Sequence, residues 1–152
     1  MIRQFQYEDA TSCCELIHAC VENDPSYSIA LREKTKSGET PLSLIERARL
    51  FYIAVYELEG RILGIAGLDM NEIRLLYVSP EYQKRGIGRL LLEHLTAMVP
   101  QDLFADIFVY SSKQAVGFYK ACGFIERGPF TFNLDGVPLD TVFMTFPLSP
   151  TE

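Results

Sequence analysis

The succession of local patterns along the chain predicts a mixed α/β (α+β) domain, a three-layer arrangement of one sheet with helices on both faces. Three observations carry this expectation. Apolar spacing switches several times between the strand period of two and the helix period of 3.6, three consecutive strand-like runs are joined by short turns, and an Asp-Gly pair near the end marks a closing hairpin. Composition agrees, because 152 residues with 48% hydrophobic and 22% charged side chains suit one continuous core and fit neither disorder nor a fibrous repeat. No repeat or Gly/Ser linker interrupts residues 1–152, which read as a single domain.

Ile2 to Gln6 reads as a short strand, and Thr11 or Ser12 can cap a helix running to about Glu22. Within it Cys13, Leu16, Ile17, Cys20 and Val21 fall at helical spacing, which makes the cysteines small core hydrophobes. Asn23 to Thr40 mixes Pro25, Gly38, charges and Tyr27 without a clear period, and Pro41 to Arg49 then has the proline-first, amphipathic form of a second helix. Leu50 to Glu57 and Arg61 to Leu68 are strands joined at Glu59-Gly60, and Glu72 to Val78 adds a third to an antiparallel meander. From Gly86 to about Val99 a helix carries Ile87, Leu90, Leu91, Leu95 and Met98 as its apolar stripe, and Pro100 closes it. Leu103 to Tyr110 is a strand, Ser112 to Cys122 a helix ended by Gly123, and Phe130 to Leu134 with Leu139 to Phe146 flank Asp135-Gly136.

Fourteen basic against 20 acidic residues give a net charge of −6, the wrong sign for affinity built on neutralising nucleic-acid phosphates. Apolar stretches are far shorter than the ~20 residues a membrane span needs. The first residues lack the pattern of a secretory signal. Cys13, Cys14, Cys20 and Cys122 form no CxxC pair, and His18 and His94 stand far apart, so the pattern predicts free thiols, a cytoplasmic setting and no metal site.

Chemistry concentrates in Val78-Ser79-Pro80-Glu81-Tyr82-Gln83-Lys84-Arg85-Gly86-Ile87-Gly88-Arg89, where a strand ends in a turn and a helix begins at two glycines. A helix start leaves backbone N–H groups unpaired and concentrates partial positive charge, so this geometry binds anions. Lys84, Arg85 and Arg89 add positive charge to an acidic protein. The stretch lacks a Gly-Lys-Ser/Thr ending, and it lacks the early glycines and first-strand position of a dinucleotide fold. A pyrophosphate site and glycines serving only tight strand-to-helix packing are the two readings left.

Gln83-Lys84-Arg85-Gly86-Ile87-Gly88 resembles the Gln/Arg-x-x-Gly-x-Gly/Ala motif of the GNAT superfamily of acyl-CoA-dependent N-acyltransferases, and it stands at that family's place after the fourth strand. Ser112 to Phe124, with Ala115, Phe118-Tyr119 and Gly123-Phe124, is similar to the family's Asn-x-x-Ala-x-x-Phe-Tyr-x-x-x-Gly-Phe helix, and the Asp-Gly hairpin also fits. The resemblance spans nearly the whole chain and is weakest from Asn23 to Arg49. It implies a mostly antiparallel sheet whose fourth and fifth strands splay apart.

The same resemblance implies acetyl-CoA as acyl donor, with no metal. Backbone amides of Gln83, Lys84, Arg85, Gly86, Ile87, Gly88 and Arg89 would hold the pyrophosphate. Leu76, Tyr77 and Val78 would offer backbone groups to the pantetheine arm, and Ser112 stands where the family usually has Asn. Tyr119 takes the place of the tyrosine that protonates the departing thiolate, its alternative being an aromatic core residue beside Phe118. Glu72 lies where several members keep a carboxylate that takes the amine proton. Its alternatives are a solvated strand end paired with Arg74, with Asp69 or a water chain as the base. The expected acceptor is the primary amine of a small molecule. A protein N-terminus or lysine, or a catalytically silent acyl-CoA-binding module, remain alternatives, and a homodimer stays open.

Overall fold

The structure is a computed structural model that describes residues 1–148, so the last four residues of the expected domain lie outside the described residues. Seven strands form one open sheet: β1 (Ile2–Gln4), β2 (Tyr52–Leu58), β3 (Arg61–Asp69), β4 (Glu72–Val78), β5 (Asp106–Ser111), β6 (Ile125–Leu134) and β7 (Val137–Pro147). Their spatial order is β1-β2-β3-β4-β5-β7-β6. Every neighbouring pair is antiparallel except β4 and β5. Helices α1 (Ala10–Glu22), α2 (Ile29–Gly38), α3 (Pro41–Ala48), α4 (Ile87–Thr96) and α5 (Val116–Ala121) complete the fold. Among the described residues no helix is long and apolar enough to cross a membrane.

The turns follow the sequence. Glu59 and Gly60 have φ of 52° and 76°, and Asp135 and Gly136 have 52° and 89°. Two consecutive left-handed residues between paired strands suit the right-handed twist of a hairpin. Leu58 accordingly pairs with Arg61, and Leu134 with Val137.

Two apolar cores lie on opposite faces of the sheet. One gathers Cys13, Leu16, Ile17 and Val21 of α1, Leu44 of α3, and Ile53, Val55, Ile65 and Leu75 of the sheet. The other joins α4 and Tyr119 of α5 to Leu63, Ile73, Ile107, Val109 and Met144. The expected stripe on α4 is corrected at two positions. Leu90 and Met98 are exposed, and Leu92 and Val99 are buried beside Ile87, Leu91 and Leu95. The helix begins at Ile87 and rolls this face onto β3. Gly64 permits the contact, since a Cβ there would stand 2.8 Å from Leu91 Cδ1 and 3.2 Å from Ile87 Cγ2.

Four segments depart from the expected boundaries. α2 forms where no period is visible, because it lies on the surface with only Leu31 buried. Its start is set instead by Ser28, whose hydroxyl accepts from the Leu31 amide at 3.1 Å. Residues 103–105 precede β5 rather than opening it, with Leu103 exposed. β6 begins at Ile125, five residues before the expected strand, and β1 ends at Gln4. From within β1, Arg3 grips both oxygens of the buried Asp9, beyond the strand, at 2.8 and 2.9 Å. Asp9 also accepts from the Gln6 amide at 2.8 Å, and these partners hold its carboxyl below its ordinary pKa.

Leu91 is fully buried between α4 and the sheet. Leu91→Ala is expected to lower unfolding free energy by about 2–5 kcal/mol, measured by urea denaturation.

Candidate active site

The site begins with one irregularity in β4. Leu75 pairs with Gly67 and Ile73 with Leu68, so Arg74 is an extra residue, a β-bulge. Ile73 therefore joins the α4 core while Leu75 enters the α1 core. On its other side β4 meets β5 only at Glu72 with Phe108 and Ile73 with Val109. Two bonds lock this closed end: the Phe108 amide donates to the Asn71 carbonyl, and Asn71 Nδ2 to the Asp106 carbonyl, both at 3.0 Å. Past Ile73 the strands separate, and a cleft of about 930 Å³ opens between them.

One end of the cleft is the glycine loop. Lys84 and Gly86 both have left-handed backbone, φ 62° and 90°. Gly86 caps α4 and its carbonyl accepts from Leu90 at 3.1 Å, while no described residue accepts from the amides of Lys84 to Arg89. Alternating handedness followed by a helix start makes these amides converge as an anion nest. A Cβ on Gly86 would meet nothing within 4 Å, so the space above the loop is free for a ligand. Gly88 has a different duty. A Cβ there would stand 3.2 Å from the Phe118 ring, so this glycine serves the packing of α4 on α5.

The expected ligand residues divide cleanly. Leu76, Tyr77, Val78, Gln83, Lys84, Gly86, Gly88, Arg89, Ser112 and Tyr119 line the cleft; Arg85 and Ile87 do not. Ile87 is core, and the Arg85 guanidinium sits over the Tyr82 ring at 5.1 Å. The Val78 carbonyl accepts from Gln83 Nε2 at 3.0 Å and from the Cys20 thiol at 3.1 Å. Ser112 accepts from the Ala115 amide at 3.3 Å, so its hydroxyl is partly committed to starting the turn before α5. Arg89 reaches across to the Ala121 carbonyl at 3.1 Å and ties α4 to α5.

Tyr119 is 4% exposed and packs edge-on against Phe118 and Phe124. Its hydroxyl bonds to no described side chain, while its ring belongs to the cleft wall. Burial pushes the phenol well above its ordinary pKa, so it stays protonated throughout the neutral range. Glu72 stands at the closed end of the β4–β5 pair, outside the cleft lining. Its carboxyl is 3.8 Å from Arg74, and burial together with Asp69 raises its pKa against the pull of that arginine.

The opposite wall comes from residues without a sequence signal. Cys20, Asp24 and Tyr27 line the cleft from the end of α1, Arg74 and Tyr110 from the splayed strands, and Leu139 and Thr141 from β7. Tyr27 and Leu139 also line a smaller recess of about 150 Å³, so the segment between α1 and α2 reaches across to β7. Lys34 of α2 pairs with Asp135 at the hairpin tip at 2.6 Å.

Fourth and fifth strands that splay apart beside a glycine loop are the arrangement implied by the motifs, and comparison with known proteins decides the family. Residues 39–140 match the family model described as the acetyltransferase (GNAT) domain. The chain belongs to the GNAT family. An uncharacterized N-acetyltransferase of Chlorobaculum tepidum is 33% identical over 89 residues, 55% of each chain. The peptidyl-lysine N-acetyltransferase YjaB of Escherichia coli is 34% identical over 95 residues, 62% of each. The matches thus span 55% and 62% of those two curated relatives. A GCN5-related N-acetyltransferase crystal structure from Rhodopseudomonas palustris superposes with a TM-score of 0.90 at 24% identity, covering 97% of this chain and 95% of that one. The GNAT fold is therefore shared across the whole described architecture.

Burial pushes the Cys20 thiol up to about 11, against the hydrogen bond to Val78, and the Cys13 thiol up to about 12. Both are expected to resist iodoacetamide at pH 7.5 in the folded protein and to react on unfolding, as followed by mass spectrometry of the labelled peptides.

Proposed function

We propose that residues 1–152 act as one domain that moves the acetyl group of acetyl-CoA to the primary amine of a small molecule, by direct attack of the amine on the thioester. The observation that carries this proposal is the continuity of one cleft from the amide loop at Gly86, past the unpaired edge of β4, to the buried Tyr119. A pyrophosphate suits the loop, and an amide-bearing arm suits strand edges that lack a β-sheet partner. With acetyl-CoA bound, the thioester supplies the activated acyl group. The chain's own residues then have three tasks.

The loop amides from Gln83 to Arg89, with the Lys84 and Arg89 charges, anchor the anionic end. Leu76, Tyr77 and Val78 align the arm. Tyr119 donates its proton toward the leaving sulfur, a role that its protonated state in the neutral range supports. Glu72, four residues and roughly 13 Å along the strand from Leu76, takes an amine proton only through intervening water. No metal enters this scheme.

A small acceptor is favoured because the α1–α2 segment crosses to β7 and Lys34 pairs with Asp135, which narrows the acceptor end. The second reading, a protein lysine or N-terminal amine, is motivated by the peptidyl-lysine activity in the name of the Escherichia coli relative. Thiol release from acetyl-CoA with a panel of primary amines, run beside labelled transfer into a protein extract, separates the two. A cytoplasmic setting belongs to the proposal, supported by four free thiols.

Gly86→Val places a branched side chain in the open space above the loop and at a strained φ. It is expected to weaken acetyl-CoA binding at least ~10-fold in calorimetry, about 1.4 kcal/mol, while circular dichroism stays that of the folded parent. Unchanged affinity in the folded variant would remove the loop from the coenzyme site.

Tyr119→Phe keeps the ring contacts and deletes the hydroxyl. Acetyl-CoA affinity is expected to hold while kcat falls by ~10²–10⁴. A kcat within twofold of the parent would make Tyr119 a packing residue only.

A further inference from the structure

We propose that Asp24 selects the acceptor: it pairs with the ammonium of a protonated alkylamine and thereby fixes the substrate class. The inference rests on the N-acetyltransferase reading above and goes further, to which amines are taken. Asp24 is the only carboxylate among the described residues that line the cleft. It is held in place from one side. Its Oδ1 accepts from the Ser26 amide at 2.9 Å and the Ser26 hydroxyl at 2.6 Å, whereas Oδ2 has no described partner. A carboxylate carries about four acceptor positions on its two oxygens, so a charged donor can be added without breaking the turn.

The other charges in the cleft leave this one as the place for a cation. Lys84 and Arg89 line it beside the glycine loop, where they suit an anion. Arg74 also lines it, but its guanidinium is shared with Asp69 at 3.3 Å and Glu72 at 3.8 Å and lies over the Phe51 ring at 5.3 Å. It adds little net positive field. Tyr27 and Tyr110 belong to the same lining. Aromatic faces attract an ammonium and tolerate its apolar substituent, so carboxylate and rings favour the same ligand. An acceptor carrying its own carboxylate would meet the Asp24 charge and is disfavoured.

Asp24 acts on binding and entry, not as the base that completes the reaction. In that reaction the N–C bond forms and the C–S bond breaks. One proton of the ammonium passes to solvent, the second goes to the sulfur, and the electron pair of the broken bond leaves with the thiolate.

The test compares the parent with Asp24→Asn, because an Asn oxygen can accept the same two Ser26 bonds and keep the turn. Thiol release is measured at pH 7.5 with phenethylamine, which is protonated there, and 4-methoxyaniline, which is neutral. Inhibition by phenethyltrimethylammonium, a permanent cation that cannot be acylated, is measured beside them. Loss of one charge-assisted contact is expected to raise the KM for phenethylamine and the inhibition constant of the quaternary amine by ~10–100-fold. The KM values for 4-methoxyaniline and acetyl-CoA should stay unchanged in Asp24→Asn. Unaltered constants for both cations, an equal rise for the neutral amine, or a loss confined to kcat would overturn the assignment. A parent that releases no thiol with any amine would overturn the proposed function itself and this inference with it; an active parent with an indifferent Asp24→Asn variant overturns only the inference.

Discussion

Everything in the site depends on the single extra residue in β4. A sheet normally pairs its strands along their full length, because unpaired backbone groups away from water are costly. The bulge at Arg74 turns the second half of β4 away from β5, and the hydrogen bonds around Asn71 keep the first half closed. The result is an interior strand edge held open by the fold. The Val78 carbonyl is met by Cys20 and Gln83, so the protein satisfies part of this edge itself. The remainder is available to a ligand rich in amides.

The glycine loop and the splayed edge are positioned by the same packing. α4 is pressed onto β3 through Ile87 and Leu91 where Gly64 lacks a side chain, and onto α5 where Gly88 lies under Phe118. Arg89 reinforces that second contact through Ala121. The helix start is thereby fixed against the end of β4, where Gln83, Lys84, Gly86, Gly88 and Arg89 border the cleft. Local positive charge in an acidic protein is a matter of these few side chains, not of net charge.

How far the sequence was legible depended on whether each feature is local. Strand and helix periods, the Glu59-Gly60 and Asp135-Gly136 turns and the amide loop are local, and all were readable from neighbouring residues. Within α4 the choice between Leu90 and Leu92 was not, because both lie near the edge of the apolar stripe and the sheet below decides which is covered. α2 escaped because a surface helix with one buried residue has little hydrophobic period to detect. The bulge is invisible for a similar reason: Arg74 looks like one more alternating strand residue until its partners on β3 are known. The acceptor wall shows the limit most clearly. Asp24 and Tyr27 lie far in the chain from Tyr110 and from Leu139, and they meet only through the topology of the sheet. The two glycines looked alike, and only the surroundings separate a Gly86 that borders open space from a packing Gly88.

The unequal burial of the two walls sets how freely each can change over evolutionary time. The wall proposed for the acyl donor is made of β4, α4 and α5, whose side chains form the sheet's central core, so most substitutions there damage folding. The opposite wall draws on Asp24 and Tyr27 between α1 and α2 and on Leu139 and Thr141 of β7, beside an α2 whose one buried residue is Leu31 and a largely solvated Lys34–Asp135 pair. Exposed positions of this kind tolerate replacement within about 0.5 kcal/mol. The family model begins at residue 39, just beyond α2. On the proposed function, a descendant of this chain could exchange its acceptor preference residue by residue while its hold on the acyl donor stayed intact.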